Sequence, residues 1–163
     1  MATPAQKLIV KNYVLADQVL SLLRPGGDSA DQIRVALIAI AAGPFVVWKT
    51  SVSRQSILQN GFDWTRLDNL SVGKARVWND IFAGEGGTLN PSKSNVRTGI
   101  DSVWVGTAAD LAVREAVYVH CKRSATIVEK LLATGTGSNA VPATMGFEGA
   151  ITGDEIQTAM GWS

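Results

Sequence analysis

The chain has 163 residues, with 15 Lys and Arg against 14 Asp and Glu and a formal net charge of +1. That length suits one domain with its own core, and the near-balance of charge excludes a strongly basic binder of polyanions. Hydrophobic residues make up 46% and charged ones 18%, more apolar surface than one small core needs, so oligomerisation is expected.

In chain order, Thr3 is a helix cap with Pro4 at the first helical position. Leu8, Val10, Val14, Leu15, Val19, Leu22 and Leu23 follow helical spacing up to a stop at Arg24–Gly27. A second helix, capped by Asp28 or Ser29, runs through Ile33, Leu37, Ile38 and Ala41 to Gly43-Pro44. Residues Pro44–Ser53 mix β-branched and aromatic side chains among helical neighbours, which leaves strand and helix both open. Ser53 then caps a short helix ending at Asn60-Gly61, and "DWTRLDNL" and "SVGKARVWNDIFAG" read as two more helical pieces. A turn-rich linker, Gly84–Asn90, leads to Asn90-Pro91, read as the cap and first position of a helix over "PSKSNVRTGIDSVW".

The clearest periodicity runs from Thr107 to about Thr134. Ala109, Val113, Ala116, Val117, Cys121, Ser124, Val128 and Leu131 form one apolar stripe and predict a single long helix stopped by Gly135. Beyond it, "ATMGFEGAIT" alternates around Glu148-Gly149 as in a short β-hairpin, and Thr152 caps a last helical turn, "GDEIQTAM". The fold class expected is mainly α: a helical domain, residues 1–134, followed by a flexible C-terminal arm, residues 135–163, carrying the hairpin.

The motifs that could carry chemistry have plainer readings. Gly135-Thr136-Gly137 has the glycines of a phosphate loop, but it follows a helix C-terminus and lacks the lysine. Ser71-Val72-Gly73-Lys74 matches the Ser-x-x-Lys of penicillin-recognising enzymes without their other motifs, so Ser71 reads as a helix cap. His120 is the only histidine and Cys121 the only cysteine; adjacent on a helix, they diverge by about 100° and cannot share a metal. Asp110 and Arg114 read as an i,i+4 pair, and Asp154-Glu155 as a first-turn complement to the helix dipole. No catalytic, metal or cofactor site is assigned. Arg114, Lys122, Arg123 and Lys130 lie along the long helix and are candidate DNA-backbone contacts. Of five tryptophans, Trp162 near the end of the arm is the best candidate for an interface.

The single cysteine argues against a disulfide framework and suits a reducing compartment. The apolar residues of the first eighteen are broken by Lys7, Lys11, Asn12 and Asp17, so neither a signal peptide nor a membrane span is expected there. Val35–Phe45 is too short to cross a bilayer. The protein is expected to be cytoplasmic where it is made.

The run "CKRSATIVEKLLATGTGSNAVPATMGFEGAITGDEI", residues 121–156, together with the opening "ATPAQKLIVKNYVLAD", resembles small structural proteins encoded among the head and tail genes of tailed bacteriophages. The resemblance rests on Glu129-Lys130, Ala133–Gly137, Pro142–Met145 and Phe147–Gly149. It implies a non-enzymatic virion protein without cofactors, in helical form a head-to-tail connector (neck adaptor) that forms a homo-oligomeric ring around the DNA channel. Portal and tail components would be its neighbours, with non-specific DNA contact and no membrane. Alternatives are a minor capsid, decoration or tail-completion protein, or a small regulatory or DNA-contacting protein. Interface candidates in the arm are Gly135, Gly137, Pro142, Met145, Phe147, Glu148, Ile151 and Trp162.

Overall fold

The computed structural model describes residues 1–59, 62–84 and 86–162. The chain is mainly α-helical, as expected. It divides into two compact units, one formed by residues 1–47 and 124–163 and the other by residues 48–123.

In the first unit, α1 (Pro4–Ala16), α2 (Gly27–Ile38), α8 (Ile127–Leu132) and α9 (Gly153–Met160) pack against one another. Their core is aliphatic: Val10 and Val14, Ile33 and Leu37, Val128 and Leu132, Ile151 and Ile156. Thr3 caps α1 in a capping box with Gln6, and Thr152 caps α9 with Glu155. The first helix stops at Ala16, well short of Arg24–Gly27. The Asp17 carboxylate accepts from the N–H groups of Val19 and Leu20, both at 2.9 Å, and starts a separate 3-10 turn, Leu20–Leu22. The second helix has no side-chain cap; Asp28 lies inside its first turn, and it ends at Ile38 rather than Ala41.

In the second unit, α3 (Arg54–Leu58), α4 (Trp64–Asp68), α5 (Val72–Asp80), α6 (Ser94–Val103) and α7 (Ala108–Cys121) surround an aromatic core. Trp78 stacks on Phe62 at 5.7 Å, and Trp104 meets both edge-on. The indole N–H groups of Trp78 and Trp104 are buried without a conventional acceptor. The edge-to-face geometry gives the positive edge of one ring the π face of another. Ser53, Asp63, Ser71 and Thr107 cap α3, α4, α5 and α7 through their side-chain oxygens. The expected end of the third helix at Asn60-Gly61 lies outside the described residues, as does Glu85 of the linker.

Strand pairing is sparse. The Pro44–Ser53 segment resolves as two short strands, β1 (Val46–Trp48) and β2 (Val52–Ser53). Within the linker, β3 (Thr88–Leu89) pairs antiparallel with β2, Val52 opposite Leu89; β1 pairs with β4 (Lys122–Ser124). Asn90 does not cap α6, which begins at Ser94. Its side chain accepts instead from the N–H and hydroxyl of Ser92, closing a turn ahead of the helix.

The single helix expected from Thr107 to Thr134 is two helices. Residues 122–126 are extended, because their backbone groups pair with distant chain instead of the preceding turn. The Ala125 N–H donates to Phe45 O at 2.9 Å, the Ile127 N–H to Ala39 O at 2.9 Å, and Ala125 O accepts from the Ala41 N–H at 3.0 Å. Thr126 then restarts helix with its own capping box to Glu129.

Candidate interaction surfaces

The C-terminal segment holds the residues expected to meet another subunit. Several of them are committed to their own unit. Ile151 is 1% exposed in the aliphatic core, and Pro142 is buried. Gly137 is buried at φ +67°, where an added Cβ would lie 2.4 Å from the Phe45 ring. Met145 and Phe147 are half-buried against core side chains. The backbone is tied down as well: Val46 N–H donates to Gly137 O at 2.7 Å, Ala143 N–H to Val46 O at 2.9 Å, and Thr134 and Thr144 exchange both their bonds. No strands flank Glu148-Gly149, so the expected hairpin is absent; the pairing belongs to Ala143 and Thr144. The boundary expected at residue 134/135 falls inside the first unit. Gly135 and Glu148 remain exposed, whereas Trp162, like Phe147, is half-buried against the aliphatic core of its own unit.

Two buried carboxylates fasten this segment. Glu129, 1% exposed, accepts from the Thr126 N–H with one oxygen and the Gly149 N–H with the other. Glu155 accepts from the Ala2 N–H at 2.6 Å and the Thr152 N–H at 3.0 Å. Burial raises its carboxyl pKa, and these backbone donors outweigh that, leaving it below the ordinary value. Sequence reasoning saw Glu155 only as a dipole complement and missed its bond to Ala2, which spans 153 positions.

The four basic candidates do not share one helix. Arg114 lies on α7 and pairs with Asp101 at 3.7 Å, not with Asp110. Asp110 instead binds Arg66 and Thr107. The Arg66 guanidinium, with Thr107, holds the Asp110 carboxyl down at about 2. Lys122 is in β4, its ammonium 5.7 Å from the Trp48 ring and 5.8 Å from that of Tyr118. Arg123 follows on the other face of the strand. Lys130 is on α8 in the first unit, 5.5 Å from the Phe45 ring.

The chemical lookalikes resolve into structure. Ser71 accepts from the Lys74 N–H as the cap of α5, while the Lys74 ammonium donates to Val105 O at 3.3 Å. Cys121 is fully buried, and burial pushes its thiol up to about 12. Among the described residues no three of His, Cys, Asp and Glu gather closely enough to hold a metal, and no helix is long and apolar enough to cross a membrane. In the second unit, an open cleft of about 600 Å³ is lined by Asp80, Thr88, Asn90 and Asn95 over Val77 and Ile81.

What the sequence reading missed is the outer face of α1. Val10 and Val14 point into the core, yet Leu8, Ile9 and Leu15 on the other side are exposed, and Val19 and Leu22 follow, with Leu22 at 75%. A helix apolar on both sides has a second surface to cover. The signal was present, since the apolar residues of α1 are too many for one stripe.

No protein-family model matches the chain, and no curated protein or solved structure is significantly similar to it.

Proposed function

We propose that this chain is a non-enzymatic structural protein of tailed-phage virions, a head-to-tail connector subunit that assembles with copies of itself into a ring around the DNA channel. The observation that carries the assembling role is the exposed apolar surface of Leu8, Ile9 and Leu15 on the far side of α1, a helix already packed into a core, continued by Val19 and Leu22 beyond its end. Leaving five large aliphatic side chains in water is costly in a free subunit and favourable once they are covered. The virion setting rests on the resemblance of residues 2–17 and 121–156 to phage head and tail proteins.

Charge supports head-to-tail association. Residues 48–123 contain ten Lys and Arg against seven Asp and Glu, a net +3, whereas the other unit has five against seven, a net −2. Surfaces of opposite sign on one chain favour joining unlike faces of successive copies. The interface candidates of the C-terminal segment reduce to its exposed members, Gly135 and Glu148, beside the α1 face. DNA-backbone contact falls to Arg114, Lys122 and Arg123 in the positive unit.

The test is the mass of the purified protein by sedimentation over a concentration series, alone and mixed with portal. Concentration-dependent ring-sized species are expected. A monomer at every concentration that never joins a particle would overturn the proposal.

A further inference from the structure

A shallow groove of about 370 Å³ runs between α1 and α9, lined by Pro4, Lys7, Leu8, Lys11, Thr158 and Ala159. Its floor is apolar, with Leu8 58% exposed. Lys7 and Lys11, one helical turn apart, form one edge. In the second unit, Trp64 stands at the first position of α4 and is 54% exposed, the only tryptophan among the described residues with so much of its ring in solvent. Phe62 meets that ring edge-on at 5.8 Å and 78°, which limits its freedom. Asp68 lies four residues on, over the same face of α4, and Asp63 immediately precedes the tryptophan. Arg66, between them, is engaged by Asp110, so its charge is already balanced.

We propose that Trp64 of one copy docks in the α1–α9 groove of a second copy, with Asp63 and Asp68 facing Lys7 and Lys11. This rests on the ring-forming reading above and names its contact. An exposed, braced indole is the side chain most suited to anchor an interface, and a lysine edge beside it adds cation–π attraction to the charge pairing. The two carboxylates and two ammonium groups commit the occupant to this chain itself, because both halves of the match are on it. Pairing α1 with α1 about a two-fold axis would lay the lysine edge of one helix beside that of the other, and like charges disfavour it. A knob on one unit meeting a groove on the other is heterologous, so each copy added leaves a new groove and a new knob, and the series ends only by closing.

Sedimentation velocity of the full chain tests this, with circular dichroism to verify folding. Asp63 also caps α4 by accepting from the Arg66 N–H, so it is changed to Asn and only Asp68 is reversed. Trp64→Ala should weaken self-association at least tenfold. Lys7→Glu/Lys11→Glu and Asp63→Asn/Asp68→Lys should each fail to assemble alone, and mixing the two variants should restore assembly, because each then carries the charge that the other lacks. Assembly of Trp64→Ala at wild-type strength, or mixed variants that stay apart, would overturn this contact and leave the ring reading standing on another surface. A wild-type chain that is monomeric at every concentration, alone and mixed with portal, would overturn both.

Discussion

The two units solve the same problem with different material. Residues 48–123 are one continuous stretch around an aromatic centre in which Trp78 and Trp104 have no exposed surface. The other unit joins the first 47 residues to the last 40 around Val, Ile and Leu. An aromatic core gains much burial from few residues, so a short stretch can close on itself. An aliphatic core assembled from distant segments bears a larger loop-closure cost and needs more fastening. The buried carboxylates Glu129 and Glu155, which bind the Gly149 and Ala2 backbone, supply that fastening where side-chain volume does not.

The sharpest way to break the comparison is Trp78→Ala, expected to cost about 3–5 kcal/mol. Chemical denaturation followed by near-ultraviolet dichroism reads it, since four of the five tryptophans lie in that unit. Trp78→Phe should cost far less, because the indole N–H has no conventional acceptor to lose. In the aliphatic unit, Ile156→Ala should cost about 2–4 kcal/mol. Hydrogen exchange should show it as faster opening of α1, α2, α8 and α9, with the amides of residues 48–123 little changed; uniform acceleration across the chain would mean that the two cores are one cooperative unit.

A smaller effect is expected at Gly137, where both conformation and space exclude a side chain. Gly137→Ala should lower stability by about 2 kcal/mol and shift the Phe45 ring. Gly149→Ala is the control, with a positive φ but open space around its Cβ position. Next comes acid. Asp110 ionises at about 2 in the folded chain, below its ordinary 3.8, so its pairing with Arg66 stabilises above the higher value and is lost as pH falls towards the lower. The unfolding midpoint should therefore drop between pH ~4 and ~2, and Asp110→Asn should flatten that part of the profile. The smallest change concerns Cys121, whose buried thiol stays protonated at neutral pH; it should react with a disulfide reagent only as fast as the unit unfolds.

The sequence was most legible where the physics is local. Thr3, Ser53, Ser71 and Thr152 cap helices through side-chain oxygens that reach N–H groups three residues on. A capping oxygen and its donor lie within one turn, so short-range pattern suffices. The candidate site was less legible. Trp64 gives no sign in the sequence that it stays outside while Trp78 goes in, and Thr126-x-x-Glu129 carried a capping-box signal that the long apolar stripe masked.

By itself the sequence determined a mainly helical chain and most of its helix starts. Tertiary structure decided the break at residues 122–126, the burial of Gly137, Pro142 and Ile151, and which apolar side chains stay in water. The reason is one of distance. The N–H groups of Ala125 and Ile127 find carbonyls about 80 positions away, and no periodicity within a helical window can register such a competitor.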